Sequence, residues 1–362
     1  MSQAEPVEMF GMTDNLRIEQ LKPLLPPSIL LEEIPLTAKA STTVLKGRQD
    51  IENVLAGKDD RLVVVVGPCS IHDVVAARDY AKRLQAARKQ FENDLIIVMR
   101  VYFEKPRTTV GWKGLINDPD LNGTHNINKG LRLARGLLVE VNEMDLPVAV
   151  EFLDTITPQF IADTVAWGAI GARTTESQIH RELASGLSCP VGFKNGTNGS
   201  IQIAVDAISS AAHPHNFLSV TKQGLSAIVV TRGNPTCHVI LRGGSTGTNY
   251  QEEKVREVQA VLKKAGRTSK IMIDCSHGNS QKDHRNQPLV AANICQQIAA
   301  GNADIMGVMI ESHLVAGKQE FVQGRPLTYG QSITDGCIDF STTEQVLNQL
   351  AQAKQMQRQN HA

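Results

Sequence analysis

Eight short apolar runs, spaced along residues 62–312, constrain this chain more than any other feature. They are LVVVVG (62–67), LIIVMR (95–100), PVAVEF (147–152), GAIGART (168–174), PVGFKN (190–195), HVILRGG (238–244), KIMIDCSHG (270–278) and IMGVMIES (305–312). Helix-like stretches separate most of them, among them VAARDYAKRLQAARKQF, NKGLRLARGLLVEVNEM, ESQIHRELASGL and EEKVREVQAVLKKAG. Strands that alternate with helices argue for a parallel sheet, and eight such units argue for a closed (β/α)8 TIM barrel of the α/β class. One interval is longer than the rest. FLSVTKQGLSAIVVTRG carries two extra apolar runs around Lys222-Gln223-Gly224 and is expected to be a hairpin inserted at 217–233. Residues 1–45, broken by Pro26 and Pro27, read as an N-terminal extension outside the catalytic barrel of 46–362, and 47–57 as a short amphipathic helix presenting Ile51, Val54 and Leu55. A last helix is expected in TTEQVLNQLAQAKQMQRQ.

A barrel brings all its strand ends to one face, where barrel enzymes carry their chemistry. Here those ends hold, in order, Cys69, Arg100, Glu151, Arg173, Lys194, Arg242, His277 and Glu311. Any one of them could be a solvated terminus or a buried core residue; eight polar or ionisable residues at eight ends point to a site. The set divides in two. Arg100, Arg173, Lys194 and Arg242, with Lys105, form a cationic group suited to a small ligand bearing phosphate and carboxylate, since guanidinium forks bind both. The loop after Arg100 adds Arg107 and Lys113. Cys69, His277 and Glu311, with Asp335 in SITDGC, form a mixed sulfur, nitrogen and oxygen set. It suits one borderline divalent transition metal such as Mn, Fe, Co or Zn; Mg or Ca would call for oxygen ligands alone.

Lys plus Arg and Asp plus Glu both number 37, so no global field favours nucleic acid or an anionic membrane, and any anion site must come from local clustering. The six cysteines form no CxxC pair, which excludes zinc-ribbon and thioredoxin readings and fits a reducing cytoplasm. The opening MSQAEPVEMFGMTDNLRIEQ lacks the basic-then-apolar form of a signal peptide, and no apolar run approaches membrane-spanning length. GGSTG (243–247) is not followed by GK[ST], and no GxGxxG opens a helix after the first strand, so nucleotide-binding readings are poor. His125, His213, His215 and His284 read as surface or loop residues.

The string MRVYFEKPRTTVGWKG (99–114) resembles the loop after the second strand of 3-deoxy-D-arabino-heptulosonate-7-phosphate (DAHP) synthases, in the microbial class regulated by aromatic amino acids. The resemblance runs from about residue 12 to 350 through GPCSIHD (67–73), GARTTESQIHRE (171–182), PVGFKNGT (190–197), HVILRGG, DCSHGN (274–279), GVMIES (307–312) and SITDGC (332–337). It implies metal ligation by Cys69, His277, Glu311 and Asp335. It implies that Arg100, Lys105, Arg173, Lys194 and Arg242 hold phosphoenolpyruvate with the amide of Ala172, and that Pro106, Arg107 and Thr108 meet erythrose 4-phosphate. The implied reaction gives DAHP and phosphate, with Lys105 donating a proton to the alkoxide or orienting the aldehyde, Arg173 and Arg242 neutralising phosphate, Glu151 positioning water and Asp335 counted with them. GGSTGTNY departs from the family's GGK-x-PNY by one extra residue and a missing Lys. The resemblance further implies feedback inhibition, with phenylalanine favoured over tyrosine and tryptophan, in a homo-oligomer (dimer or tetramer). The implied inhibitor positions are Thr155, Gln159, Ser188, Phe217, Ser219 and Val229, with Asp14 reaching from a partner subunit; Thr155 stands where the phenylalanine-sensitive branch usually has Met. A metal-dependent aldolase and a non-catalytic phosphosugar-binding regulator are the competing readings.

Overall fold

The computed structural model describes residues 13–107 and 109–361; Thr108, an expected substrate residue, lies outside them. The expected strands form, somewhat trimmed at their ends. They are β1 (Leu62–Gly67), β2 (Leu95–Arg100), β3 (Val148–Glu151), β4 (Trp167–Ile170) and β5 (Val191–Lys194), then, after a hairpin of β6 (Asn216–Val220) and β7 (Ser226–Val230), β8 (Cys237–Leu241), β9 (Ile271–Asp274) and β10 (Ile305–Glu311). The eight barrel strands close in the order β1-β10-β9-β8-β5-β4-β3-β2, all neighbours parallel. The hairpin is a separate antiparallel ribbon pairing Phe217 with Val229 and Leu218 with Ile228. A last short pair, β11 (Val315–Lys318) and β12 (Gln331–Ser332), follows β10.

The strands read as unbroken apolar runs because both faces are covered. Val63 and Val65 of β1 join Ile96, Val98, Trp167, Ile240, Met272 and Met309 inside the barrel, while Val64 and Val66 face the outer helices. Two helices precede the barrel, α1 (Pro27–Glu33) and α2 (Ala38–Leu55). Outside it run α3 (Val74–Gln90), α4 (Ile127–Glu143), α5 (Pro158–Ile161), α6 (Gln178–Gly186), α7 (Gln202–Ala211), α8 (Glu252–Lys264), α9 (Gln287–Ala299) and α10 (Phe340–His361). Local chemistry sets their ends. Asp73 caps α3 by accepting from the amides of Val75 and Ala76, and α8 carries Glu252 and Glu253 in its first turn and Lys263 and Lys264 in its last, matching the helix dipole.

The helix expected over 47–57 is longer and begins at Ala38, where the Thr37 side chain accepts from the Ala40 amide. Its Ile51 and Val54 pack with the interior cluster of the barrel, so α2 plugs one end of the closed sheet and leaves the other for chemistry. No described helix is long and apolar enough to cross a membrane.

Candidate active site

At the C-terminal ends of the strands lies a cavity of about 250 Å³. Its lining includes Lys105, Pro106, Arg107, Glu151, Ala172, Arg173, Lys194, Arg242, His277, Glu311 and Asp335, so most of the residues singled out from sequence converge here. Cys69 and Arg100 do not line it. Both are fully buried just beneath.

Cys69, Glu311 and Asp335 bring one sulfur and two carboxylate oxygens within 4.8 Å of one another. His277 approaches from the turn after β9, with Nε2 3.6 Å from Glu311 Oε1. Its other nitrogen, Nδ1, lies 2.8 Å from Asp274 Oδ2, and Asp274 is in turn 3.2 Å from Lys194 Nζ. Ser276 Oγ lies 2.7 Å from the same Nδ1, so Ser276 and Asp274 stand behind the imidazole and leave Nε2 to face Glu311. His277 holds φ 55°, a left-handed backbone sparsely populated by residues other than glycine. A thiol, an imidazole nitrogen and two carboxylates fit a borderline divalent ion. The cluster can therefore hold a divalent metal.

The electrostatics follow from burial and neighbours. Burial, and then the charge of Glu311, push the Cys69 thiol up. Burial works against the Asp335 carboxylate, but Lys105, His277, the Cys69 thiol and Lys318 together hold it below its ordinary range. Burial also opposes the charge on Lys105, yet Cys69, Glu311 and Glu151 outweigh it, so the ammonium is held more firmly than usual. Arg100 is saturated: it donates to Glu311 Oε1 at 2.9 Å and to the carbonyls of Pro68 and Cys69, and its guanidinium sits 3.7 Å over the Tyr102 ring. Through Glu311 and the Cys69 carbonyl it braces the metal-competent cluster from below. By contrast, Arg107, Arg173, Arg242, Lys282 and Lys318 line the cavity and enter no ion pair among the described residues.

Asp274, Lys282, His284 and Lys318 were not foreseen as site residues. His284, read as a surface or loop residue, lines the cavity from a three-residue 3-10 turn. Asp274 ends an apolar strand and faces inward, so only the barrel's alternation could have revealed it. Buried asparagines also hold the site. Asn195 Oδ1 accepts from the Arg242 amide and from Asn249 Nδ2, Asn249 Oδ1 accepts from the Gly243 amide, and Asn279 Oδ1 accepts from the Asn249 amide. The longer GGSTGTNY loop closes on itself between Gly244 and Gly247, which absorbs its length before Asn249 docks.

A second cavity, about 450 Å³, lies between the hairpin and the barrel flank. Gln159, Ser188, Phe217, Ser219 and Val229 line it, as expected, joined by Arg48 of α2, Pro158 and Lys222. Thr155 and Asp14 do not line it within one chain. Lys222 Nζ donates to the Gln159 carbonyl, tying the hairpin turn to α5.

Comparison with known proteins agrees with this geometry along almost the whole chain. The chain is 59% identical over 350 residues to "Phospho-2-dehydro-3-deoxyheptonate aldolase, Phe-sensitive" of Escherichia coli (strain K12), covering 97% of this chain and all of the relative. It is 54% identical over 342 residues to the "Trp-sensitive" enzyme of Shigella flexneri, covering 94% of this chain and 98% of the relative. A solved structure of phospho-2-dehydro-3-deoxyheptonate aldolase from Francisella tularensis SCHU S4 superposes with a TM-score of 0.93 at 58% identity, covering 94% of this chain and 99% of that one. The pattern of the DAHP synthetase I family matches residues 33–348, a span that contains the closed barrel, the cationic cavity and the thiol–carboxylate cluster. By fold, site and sequence together, this chain belongs to the DAHP synthetase I family of enzymes.

Proposed function

We propose that the chain condenses phosphoenolpyruvate with erythrose 4-phosphate and water to give DAHP and inorganic phosphate, the first step of the shikimate pathway. The observation that carries this reading is the set of cations without acid partners gathered over a buried metal-competent cluster. Two anionic substrates repel one another, and fixed cations offset that repulsion while holding the reacting carbons close.

Arg173, Lys194 and Arg242, with the amide of Ala172, hold the phosphate of phosphoenolpyruvate. Arg100 and Lys105 complete the phosphoenolpyruvate site from the strand β2 side. Pro106, Arg107 and Thr108 meet erythrose 4-phosphate. C3 of the enol attacks the aldehyde carbon, and the new alkoxide takes a proton from the Lys105 ammonium. Water, positioned by Glu151, which accepts its proton, adds at C2. Loss of phosphate from the resulting hemiketal phosphate leaves the C2 ketone, with Arg173 and Arg242 receiving the departing charge. Cys69, His277, Glu311 and Asp335 would hold one divalent ion, Mn²⁺ preferred, which when bound supplies Lewis-acid polarisation of the aldehyde oxygen.

The second cavity supports feedback inhibition by an aromatic amino acid, phenylalanine before tyrosine and tryptophan. The inhibitor would bind one state of the enzyme better than another in a homo-oligomer, with the partner subunit's Asp14 completing the pocket. The primary test follows loss of phosphoenolpyruvate and release of phosphate. Both should depend on erythrose 4-phosphate and match one to one. Turnover of a sugar phosphate without phosphoenolpyruvate would favour the aldolase reading, and binding without any turnover would favour a regulator.

A further inference from the structure

Arg100 carries a full charge where no bulk water reaches it. Its side chain is fully buried, and so is the Tyr102 ring two residues on. A guanidinium is planar, so its N–H groups leave through the edge and its faces offer none. The edge is well used. Nε donates to the Pro68 carbonyl at 3.1 Å, Nη2 to the Cys69 carbonyl at 3.3 Å and to Glu311 Oε1 at 2.9 Å, and Nη1 to Met309 Sδ at 3.1 Å. A face is served differently: Cζ lies 3.7 Å from the centre of the Tyr102 ring. The negative face of an aromatic ring attracts a cation, and the attraction is larger where both are desolvated.

Three observations set this contact apart from chance packing of two neighbours. The ring stands on a fixed backbone. The Tyr102 carbonyl accepts from the Ile71 amide at 2.9 Å, in the loop that carries Cys69, and the Val101 amide donates to the Ala149 carbonyl of β3 at 2.8 Å. The side chain then packs in the barrel's interior cluster with Val65, Val98 and Met309. Second, the Tyr102 hydroxyl is buried and finds no hydrogen-bond partner among the described residues, so the protein engages this side chain through its ring. Third, Glu311 is the one carboxylate paired with Arg100 among the described residues, and it also belongs to the metal-competent cluster. Negative charge that Glu311 lends to a divalent ion is withdrawn from Arg100, and the ring face then carries more of the stabilisation of that cation.

We propose that Tyr102 is a positioning residue of the active site. Its ring face fixes the plane of the Arg100 guanidinium and, through Arg100, both the Glu311 carboxylate offered to a metal and the buried charge offered to phosphoenolpyruvate. The inference rests on the proposed condensation and adds to it a residue that lines no part of the cavity. Tyr102 acts from the layer beneath, and it acts through Arg100 alone.

The test separates the ring's charge distribution from its bulk. Wild type is compared with Tyr102→Leu, with Tyr102→Phe, and with Tyr102→Phe in which that phenylalanine carries one, two or three fluorines. Fluorine drains the ring face at almost constant size, so a residue that only fills space does not respond to it. Affinities for Mn²⁺, and for phosphoenolpyruvate in the presence of Mn²⁺, are measured by calorimetric titration of the full chain. Tyr102→Phe should stay within about threefold of wild type in both. Successive fluorines should weaken binding step by step, to about tenfold with the third, and Tyr102→Leu should lose at least as much. The fluorinated series decides even if Tyr102→Leu does not fold. Affinities that do not change with fluorine number overturn the proposal. A loss in Tyr102→Phe as large as that in Tyr102→Leu also overturns it, by assigning the effect to the hydroxyl. If wild type binds Mn²⁺ but no phosphoenolpyruvate, the condensation reading fails separately and the Mn²⁺ series still decides. A wild type that binds neither has no site for Tyr102 to position, which removes the proposal as well.

Discussion

Lys105 Nζ lies 3.2 Å from Cys69 Sγ and 3.1 Å from the Cys69 carbonyl oxygen. One ammonium therefore joins the metal-competent cluster to the cationic cavity, and the two residues should fail differently. Cys69→Ser replaces a soft donor with a hard, weak one. It should lower affinity for a transition metal by roughly tenfold to a hundredfold, the scale seen for disturbed metal sites, while the fold persists. Lys105→Ala should keep its metal but lose at least about a hundredfold in rate, the usual scale for a lost proton donor or charge stabiliser. Metal content by elemental analysis, paired with turnover after chelation and Mn²⁺ repletion, separates the two. Full activity of metal-stripped wild type would remove the metal from the mechanism.

Gly171 leaves room for the Glu151 carboxylate: a Cβ there would lie 2.4 Å from Glu151 Oε1. Its backbone is outside the left-handed region, so alanine brings no strain of its own. Gly171→Ala should displace the carboxylate, and kcat should fall on the order of tenfold to a hundredfold with little change in melting temperature. Unaltered kcat would remove Glu151 from the water-handling role.

Within the barrel, Trp167 Nε1 donates to His238 Nε2 at 3.3 Å, and both side chains are fully buried. Burial lowers the His238 pKa to about 4. Because the folded value lies below the ordinary 6.5, the unfolded chain takes up the proton first as pH falls. His238 thus contributes fully above about pH 6.5 and loses that contribution progressively down to about pH 4, a change of roughly 3 kcal/mol across the window. His238→Gln keeps an acceptor for Trp167 but cannot titrate. Melting temperatures from pH 7 to 4 should therefore fall less steeply for the variant than for wild type. Parallel curves would show that His238 already titrates alike in both states.

Inhibition is tested by initial rates against phenylalanine, tyrosine and tryptophan, for the full chain and for one lacking residues 1–15. Phenylalanine should be strongest and the truncated chain should lose sensitivity. Indifference of the full chain to all three amino acids would refute the regulatory reading. Undiminished inhibition of the truncated chain would remove Asp14 alone.

The barrel was legible because each strand is a continuous apolar run punctuated by helix-like stretches, and the deep site because its residues fall at or just past strand ends. What lay hidden came from elsewhere. Lys282, His284 and Lys318 reach the cavity from a turn, a short 3-10 helix and a two-stranded pair, where neither spacing nor polarity marks them. The bonds from Arg100 to Glu311 and two carbonyls were equally hidden, because their partners come from distant strand ends and loops. The early start of α2 was masked by its mixed composition and by Gly47. That glycine is there for close approach: a Cβ would come within 2.8 Å of Pro147 Cβ.

The barrel ladder passes from β5 straight to β8, Val191 paired with Cys237 and Lys194 with Ile240, while β6 and β7 bond only to each other. The hydrogen-bonded ring is thus indifferent to what is spliced between Lys194 and Cys237. A chain built this way can lengthen, shorten or replace the ribbon without re-registering a single barrel strand. Under the proposed regulatory reading, the ribbon's pocket and the strand-end chemistry are separable, joined through side chains such as Lys222 that tie the ribbon to α5.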